Sequence, residues 1–513
     1  MQQKSGNNNT IDMKKLVLVL AFLPLFTWAQ DRIMVIADPH VYPLSAIDQE
    51  ADFDTYMAKQ RKMIDLSEPV WNALIDTALA YHPSLVLIPG DLTRDGELVA
   101  HDTVAAALNR LQQAGIRTLV IPGNHDLPDN VAWESLYMDS TMVKDPDSYS
   151  YAVKALQGLT VLGIDGSNGK ASVGTLSEQS LAWLLAQADS AVAKGHTIIA
   201  MCHWQILEHF DQQGTLESSC RMKNADALRD SLMAHGVHLV LTGHFHVNGI
   251  TTYRDTTGLT NDSLMEITTG SPITYPCPYR WLTLSADRAD ITVETDYLTA
   301  VDTIADMETY SREWMREHTQ NLIPTLALKV WNKVDNNWDR VEAALSKVYM
   351  GWLSESLRAA LPQTDSARID LVQRYLGTSA IDLYLFHSEA NENERPEMGQ
   401  AMAQAVYAGM DGMMDEVFGA YEELVPIFKA MARSMAEEPV QSMVKDVTQW
   451  KSAIYADQTN DLRGTWTVNA PQNFEALEMV PTDASVRKIL LNGQVLILRG
   501  QYLYTPQGQP VNL

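Results

Sequence analysis

Short runs of continuous apolar residues alternate with amphipathic stretches through the first 300 residues of the chain. The runs RIMVIA (32–37), SLVLIP (84–89), TLVIP (118–122), TIIAMC (197–202) and HLVLT (238–242) are too short and too evenly apolar for surface helices. They read as buried strands. Between them the period changes. Over 68–81, Val70, Trp71, Leu74, Ile75, Ala78 and Leu79 share one helical face, with Ser67 placed to cap and Pro69 in the first turn. A second helix is predicted over 97–114, ending at Gly115, and a third runs from a Ser177 cap to about 194, with Gly195 beyond it. A further helix lies near 224–235, YSYAV and LTVLGI suit a hairpin-like pair, and strands fill 248–297. Strands alternating with helices predict a layered α/β core, whose ligand-bearing loops gather at the carboxyl ends of the strands on one edge of the sheet.

The texture changes after residue 300. Residues 305–457 are helical in period and rich in Met, Ala, Leu and Glu, whereas 464–505 is strand-like, with Asn492-Gly493 as a tight-turn signal. Trp331 and Trp338, seven residues apart, are expected on a packed helical face rather than in a ligand-stacking site. The division predicted is a signal peptide at 1–29, an α/β domain at 30–300, a helical domain at 301–460 and a small β-rich segment at 461–513.

Length and charge narrow the function. A chain of 513 residues with 46% hydrophobic content holds two or three real cores. A formal charge of −26 argues against nucleic acid, which needs extended basic surface. MKKLVLVLAFLPLFTWAQ, from Met13, has the basic start, apolar centre and small-residue cleavage site (Thr27-Trp28-Ala29) of an export signal. No later segment is apolar enough to span a membrane. A secreted or periplasmic protein is expected. Of three cysteines, Cys202 sits in an apolar run and reads as a core residue, while a Cys220–Cys277 bridge is compatible with that compartment.

The chemistry lies at the strand ends. The five buried runs are followed by Asp38-Pro39-His40, Gly90-Asp91, Gly123-Asn124-His125-Asp126, His203 and Gly243-His244-Phe245-His246. Each alone reads as a turn or a helix cap. Together they place carboxylate, amide and imidazole donors where ligand loops converge, and eleven of the thirteen histidines precede residue 250. Such donors suit Zn, Fe, Mn or Ni, and four histidines exclude a calcium site. Seven side chains exceed one open catalytic ion and suit two ions sharing a carboxylate. Such a pair clamps the attacking and leaving oxygens of a phosphoryl displacement and lowers the pKa of bound water.

Taken in order over 32–250, these five blocks resemble the calcineurin-like metallophosphoesterases. The resemblance implies a four-layer α/β/β/α sandwich carrying two divalent or trivalent transition-metal ions, Fe, Mn or Zn. By position, Asp38, His40 and His246 would hold one ion and Asn124, His203 and His244 the other, with Asp91 bridging. His125 would act as the acid or stabilise the charge developing on the phosphoryl group, and Asn124 and His125 would meet the substrate. Two departures stand out. Where many members have an Asp three residues after the bridging Asp, this chain has Arg94 followed by Asp95. Either Asp95 replaces the missing Asp in orienting His125, or Arg94 faces the phosphate. The run VYPLSAIDQEADFDTYMAKQRKMID, directly after His40, reads as an insertion able to roof the pocket, and Trp204–Lys223 is a second candidate rim. SPITYPCPYRW (271–281) resembles the cyclic-nucleotide-phosphodiesterase-like branch.

The expected function is hydrolysis of a small soluble phosphoester, a diester slightly favoured, by metal-activated hydroxide. A phosphomonoesterase or nucleotidase on the same site, and a non-catalytic binding protein on the same fold, are the alternatives. Residues 301–513 are left as candidates for oligomerisation or cell-envelope contact.

Overall fold

The computed structural model describes residues 31–449, apart from short interior stretches (chiefly 168–172, 256–262 and most of 210–217, 321–337 and 377–394), and beyond them the strands lying between 463 and 511. The predicted signal peptide at 1–29 and the Asn492-Gly493 turn lie outside the described residues.

The first 300 residues build two mixed sheets. The strands are β1 (Asp31–Val35), β2 (Leu85–Ile88), β3 (Arg117–Val120), β4 (Val143–Lys144), β5 (Tyr151–Leu156), β6 (Leu159–Ile164), β7 (Thr197–Cys202), β8 (Leu239–Thr242), β9 (Gly249–Arg254), β10 (Ser263–Thr268), β11 (Pro278–Leu284), β12 (Asp290–Tyr297) and β13 (Arg463–Thr467). The first sheet runs β13-β12-β11-β1-β2-β3 and the second β4-β5-β6-β7-β8-β10-β9. β1, β2 and β3 are parallel in one sheet, and β6, β7 and β8 are parallel in the other. The predicted hairpin is present as antiparallel β5 and β6.

Three apolar layers fill the sandwich. Ile33, Val35, Leu85, Leu87 and Leu119 of the first sheet meet Val161, Ile199, Met201, Leu239 and Leu241 of the second. The outer face of the first sheet is covered by helices Ser67–Tyr81 and Leu98–Gln113 around Trp71 and Leu111. Helices Glu178–Ala193 and Ala225–Ala234 cover the second around Leu184 and Leu228. This is the expected α/β/β/α sandwich. It differs from the simpler reading in one respect: the ligand loops come from two sheets packed face to face, not from one edge of a single sheet. Fully buried strands such as β2 and β8 carry no alternation to show which sheet they join.

Local signals fare unevenly. Ser177 caps its helix by accepting a hydrogen bond from the Ser180 N–H at 3.0 Å, and the Leu98–Gln113 helix gives way to Gly115 at φ +82°. Ser67 does not cap. It is the first helical residue, donates to the Ile64 carbonyl at 2.7 Å and accepts from the Tyr42 N–H at 2.9 Å, so it ties the inserted segment to the helix. No disulfide joins Cys220 and Cys277; all three cysteines are buried, and Cys277 belongs to the apolar layer under the first sheet.

Beyond residue 300, helix Met307–Gln320 still packs on the sandwich through Met307, Tyr310 and Trp314. The later helices surround a separate cluster in which Trp331 and Trp338 are both buried beside Leu345, Leu353 and Phe428, the packed face predicted for them. The C-terminal strand region divides. β13 pairs antiparallel with β12 and completes the first sheet, where the β12 edge would otherwise expose its backbone groups. Five short strands between Val480 and Val511 form a sheet of their own. Among the described residues, no helix is long and apolar enough to cross a membrane.

Candidate metal centre

The residues that follow β1, β2, β3, β7 and β8 meet between the two sheets. Two groups of donors lie close enough to hold a cation each: Asp38, His40, Asp91 and His246, and Asp91, His203 and His244, with all donor atoms of a group within 4.8 Å of one another. Asp91 belongs to both, and one of its oxygens, Oδ2, is 3.6 Å from His40 Nε2 and 3.2 Å from His203 Nε2. Asp38 Oδ1 is 3.4 Å from His246 Nε2. Asn124 Oδ1 is 3.2 Å from His203 Nε2, which puts the amide in the second group. All seven predicted ligands are thus brought together.

The donors suit cations. His40 Nε2 and His246 Nε2 point at each other across 3.1 Å, as do His203 Nε2 and His244 Nδ1. Burial above all keeps His40 and His246 below the ordinary histidine range and lowers His244 to about 3, so these rings are neutral and carry lone pairs. His203 is the exception. Burial works against its charge, but the neighbouring Asp91 carboxylate overcomes this and lifts it to about 9. Burial likewise pushes Asp91 upward, and His203 and the other imidazoles more than reverse that. Neutral imidazoles, a shared carboxylate and an amide oxygen form a set that two adjacent transition-metal ions would satisfy.

The backbone is shaped for this convergence. Asp38, His40, Asp91, His244 and His246 all have positive φ, between 41° and 67°. Non-glycine residues rarely adopt this region, which costs free energy recovered elsewhere, and such residues cluster at functional sites. Two glycines are required by space. A Cβ on Gly123 would collide with the Asp91 carboxylate, and one on Gly243 with that of Asp38.

The acidic residue of Gly123-Asn124-His125-Asp126 is not a ligand but a clamp. Buried Asp126 accepts hydrogen bonds from the N–H groups of Leu92, Thr93 and Gly123 at 3.1, 2.9 and 2.9 Å and from the Thr93 hydroxyl at 3.0 Å. It therefore locks the loop after β2 to the loop after β3. Asp91 in turn accepts the His125 N–H at 2.9 Å. Buried Glu266 does the same on the other sheet. It accepts from the N–H groups of Ile206 and Leu207, just after His203, and from Thr242 Oγ1, two residues before His244. Glu266 is absent from the residues expected at the site, although a carboxylate inside the apolar run Leu264–Thr268 is a signal the sequence offers.

His125 stands beside the ligands without joining them, its ring centroid 4.9 Å from that of His40. Its Nδ1 is 2.7 Å from Asp95 Oδ1. Burial pulls the His125 pKa down, and the Asp95 hydrogen bond more than compensates, leaving it above the usual value. The phosphate contact considered for Arg94 is not where its side chain goes. Its guanidinium bonds Glu50 and Glu97, each at 2.7 Å, and lies 3.6 Å over the Tyr42 ring. It fastens the insertion to the loop after β2. The insertion contributes an unforeseen cation: Lys62 Nζ lies 3.5 Å from His40 Nδ1. The basic run around Lys62 gives no sign of which residue turns inward.

The family model for calcineurin-like phosphoesterases matches residues 31–248. A probable cyclic nucleotide phosphodiesterase of Moraxella catarrhalis is 27% identical over 181 residues, covering 34% of this chain and 62% of that protein. A probable glycerophosphodiester phosphodiesterase of Arcobacter nitrofigilis is 25% identical over 168 residues, covering 31% of this chain and 59% of that protein. The chain thus spans about three fifths of the length of these curated relatives. A crystal structure of a dimetal phosphatase from Danio rerio aligns at a TM-score of 0.41 and 18% identity, over 52% of this chain and 95% of that one.

Proposed function

Since residues 31–248 form a calcineurin-like phosphoesterase domain, we propose that the protein is an exported metal-dependent hydrolase of a small soluble phosphoester, a diester in preference to a monoester. The observation that carries this reading is the pair of donor groups sharing Asp91, with the His125–Asp95 pair alongside. Asp38, His40 and His246 would hold one ion and Asn124, His203 and His244 the second, with Asp91 common to both. When bound, the ions would supply Lewis acidity and activation of water. Their identity is proposed as Fe, Mn or Zn, from the nitrogen and oxygen donors.

The chain's own groups do the rest. His125 is placed to give a proton to the departing ester oxygen, and Asp95 on Nδ1 fixes the ring so that Nε2 is the free atom. Asp126 and Glu266 hold the ligand loops in register. The diester preference is supported by the phosphodiesterase names of both curated relatives. Export is supported by the signal-like segment from Met13.

The test is purified protein loaded with Mn, Fe or Zn and assayed on a cyclic nucleotide, a glycerophosphodiester, bis(4-nitrophenyl) phosphate and 4-nitrophenyl phosphate. Diester turnover that a chelator abolishes supports the reading. A monoester kcat/KM tenfold above that of every diester would remove the diester preference. Activity untouched by chelator in metal-free protein would remove the metal-dependent hydrolase. Cell fractionation with N-terminal sequencing of the mature chain tests export, and an intact N-terminus in the cytoplasm would refute it.

A further inference from the structure

Lys62 lies on the segment inserted between the first two ligand blocks, yet its ammonium reaches the ligand His40. The next residue, Met63, is fully buried and donates its N–H to the Ile273 carbonyl at 2.8 Å. Two residues before Ile273, Ser271 donates its hydroxyl to the Asp38 carbonyl at 2.7 Å. One short stretch therefore supports both the first ligand and the backbone under Lys62. On the other side, Arg94 ties the insertion down through Glu50 and Tyr42. The lysine is on an anchored backbone, with Nζ 3.5 Å from His40 Nδ1.

In a metal-loaded site that contact would set an ammonium against a ring N–H. His40 turns Nε2 toward Asp91 and His246. With Nε2 on a cation, the neutral ring carries its proton on Nδ1, so the ammonium would face a donor. Of the nearby carboxylates, Asp38 and Asp91 belong to the donor groups, and Asp95 Oδ1 is engaged by His125 at 2.7 Å. An oxygen of the bound ester would give Lys62 the acceptor that His40 Nδ1 would then not provide.

We propose that Lys62 is a substrate-binding residue whose ammonium takes a non-bridging phosphoryl oxygen of the ester over the Asp38–His40–His246 half of the site. The inference rests on the phosphoesterase reading above and adds to it a positive group supplied by the insertion rather than by the five ligand blocks. It also gives the insertion a role: the insertion fixes where the phosphoryl group sits relative to His125, whose ring is 4.9 Å from that of His40.

The experiment compares metal-loaded wild type with Lys62→Met, Lys62→Arg and Lys62→Gln. Three quantities are read: metal content per chain, calorimetric affinity for inorganic phosphate, and KM for bis(4-nitrophenyl) phosphate. Lys62→Met should weaken phosphate binding and raise KM by roughly 10- to 100-fold, the scale of a lost charge-assisted hydrogen bond. Metal content should stay at the wild-type level, and Lys62→Arg should recover most of the affinity. Thermal melting checks folding, and Lys62→Gln stands in if the Met variant does not fold. Unchanged phosphate affinity in a folded, metal-loaded Lys62→Met protein overturns the inference while leaving the hydrolase reading intact. Loss of metal in step with loss of phosphate also overturns it, because Lys62 would then be supporting His40. Wild type that neither binds phosphate nor cleaves any ester overturns both readings.

Discussion

Asp95 Oδ1 and His125 Nδ1 are 2.7 Å apart, so a carboxylate holds the histidine by that ring nitrogen. Arg94, the residue before Asp95, turns instead to Glu50 and Glu97.

Replacing Asp95 by Asn should lower kcat by roughly 10- to 100-fold, the usual cost of losing a group that orients a functional histidine. The pH profile carries the sharper test. The Asp95 contact raises the His125 pKa, so the protonated ring persists to higher pH. Without the carboxylate, the falling limb of the kcat profile should move to lower pH. A profile that scales down without moving would show that Asp95 does not act through His125.

His125→Asn should lower kcat by roughly 10²- to 10⁴-fold, the range for a lost acid–base group, while metal content stays near wild type. Elemental analysis decides the assignment. A variant depleted of metal would make His125 a ligand.

Asp91→Ala should be the most damaging ligand change, because a single oxygen of Asp91 faces both donor groups. Both ions should be lost together. The metal-free proteins should differ too. The folded pKa of His203, about 9, lies above its ordinary 6.5. Its contribution to stability is therefore fully present below pH 6.5 and fades as pH rises through about 9. Melting curves of metal-free wild type should show that loss, and those of metal-free Asp91→Ala should show much less of it.

Gly123→Ala should cost about 1–3 kcal/mol of stability, as overpacking does, and should release metal, because the new methyl group collides with the Asp91 carboxylate. Gly419→Ala, which meets nothing within 4 Å, is the control. Equal melting temperatures for the two variants would show that the Asp91 loop yields.

Much of the site is legible along the chain because each donor group follows directly on an apolar run, and both features are local. What is not legible depends on contacts far apart in sequence. The left-handed backbone of Asp38, His40, Asp91, His244 and His246 is not marked by glycine, and the Asp and His that adopt it also occur throughout ordinary loops. Lys62 reaches His40 only because Met63 is pinned to Ile273. The two sheets cannot be told apart because β2, β7 and β8 present apolar residues almost throughout. Ser67 has the chemistry of a cap but not the role, because Tyr42, at the start of the insertion, claims its hydroxyl oxygen.

The pairing of β12 with β13 changes how the helical region is attached. The chain leaves the first sheet at Tyr297 and rejoins it at Arg463, so the helices between are an excursion closed at both ends, not a tail. A protease cut within that excursion would leave both fragments held by the same sheet. A chain truncated near residue 300 would lack its own edge strand, and the bare β12 edge would be open to pairing between molecules. A stop codon and a nick in the same region should therefore have opposite consequences: the first a sticky fragment, the second a protein that still migrates as one.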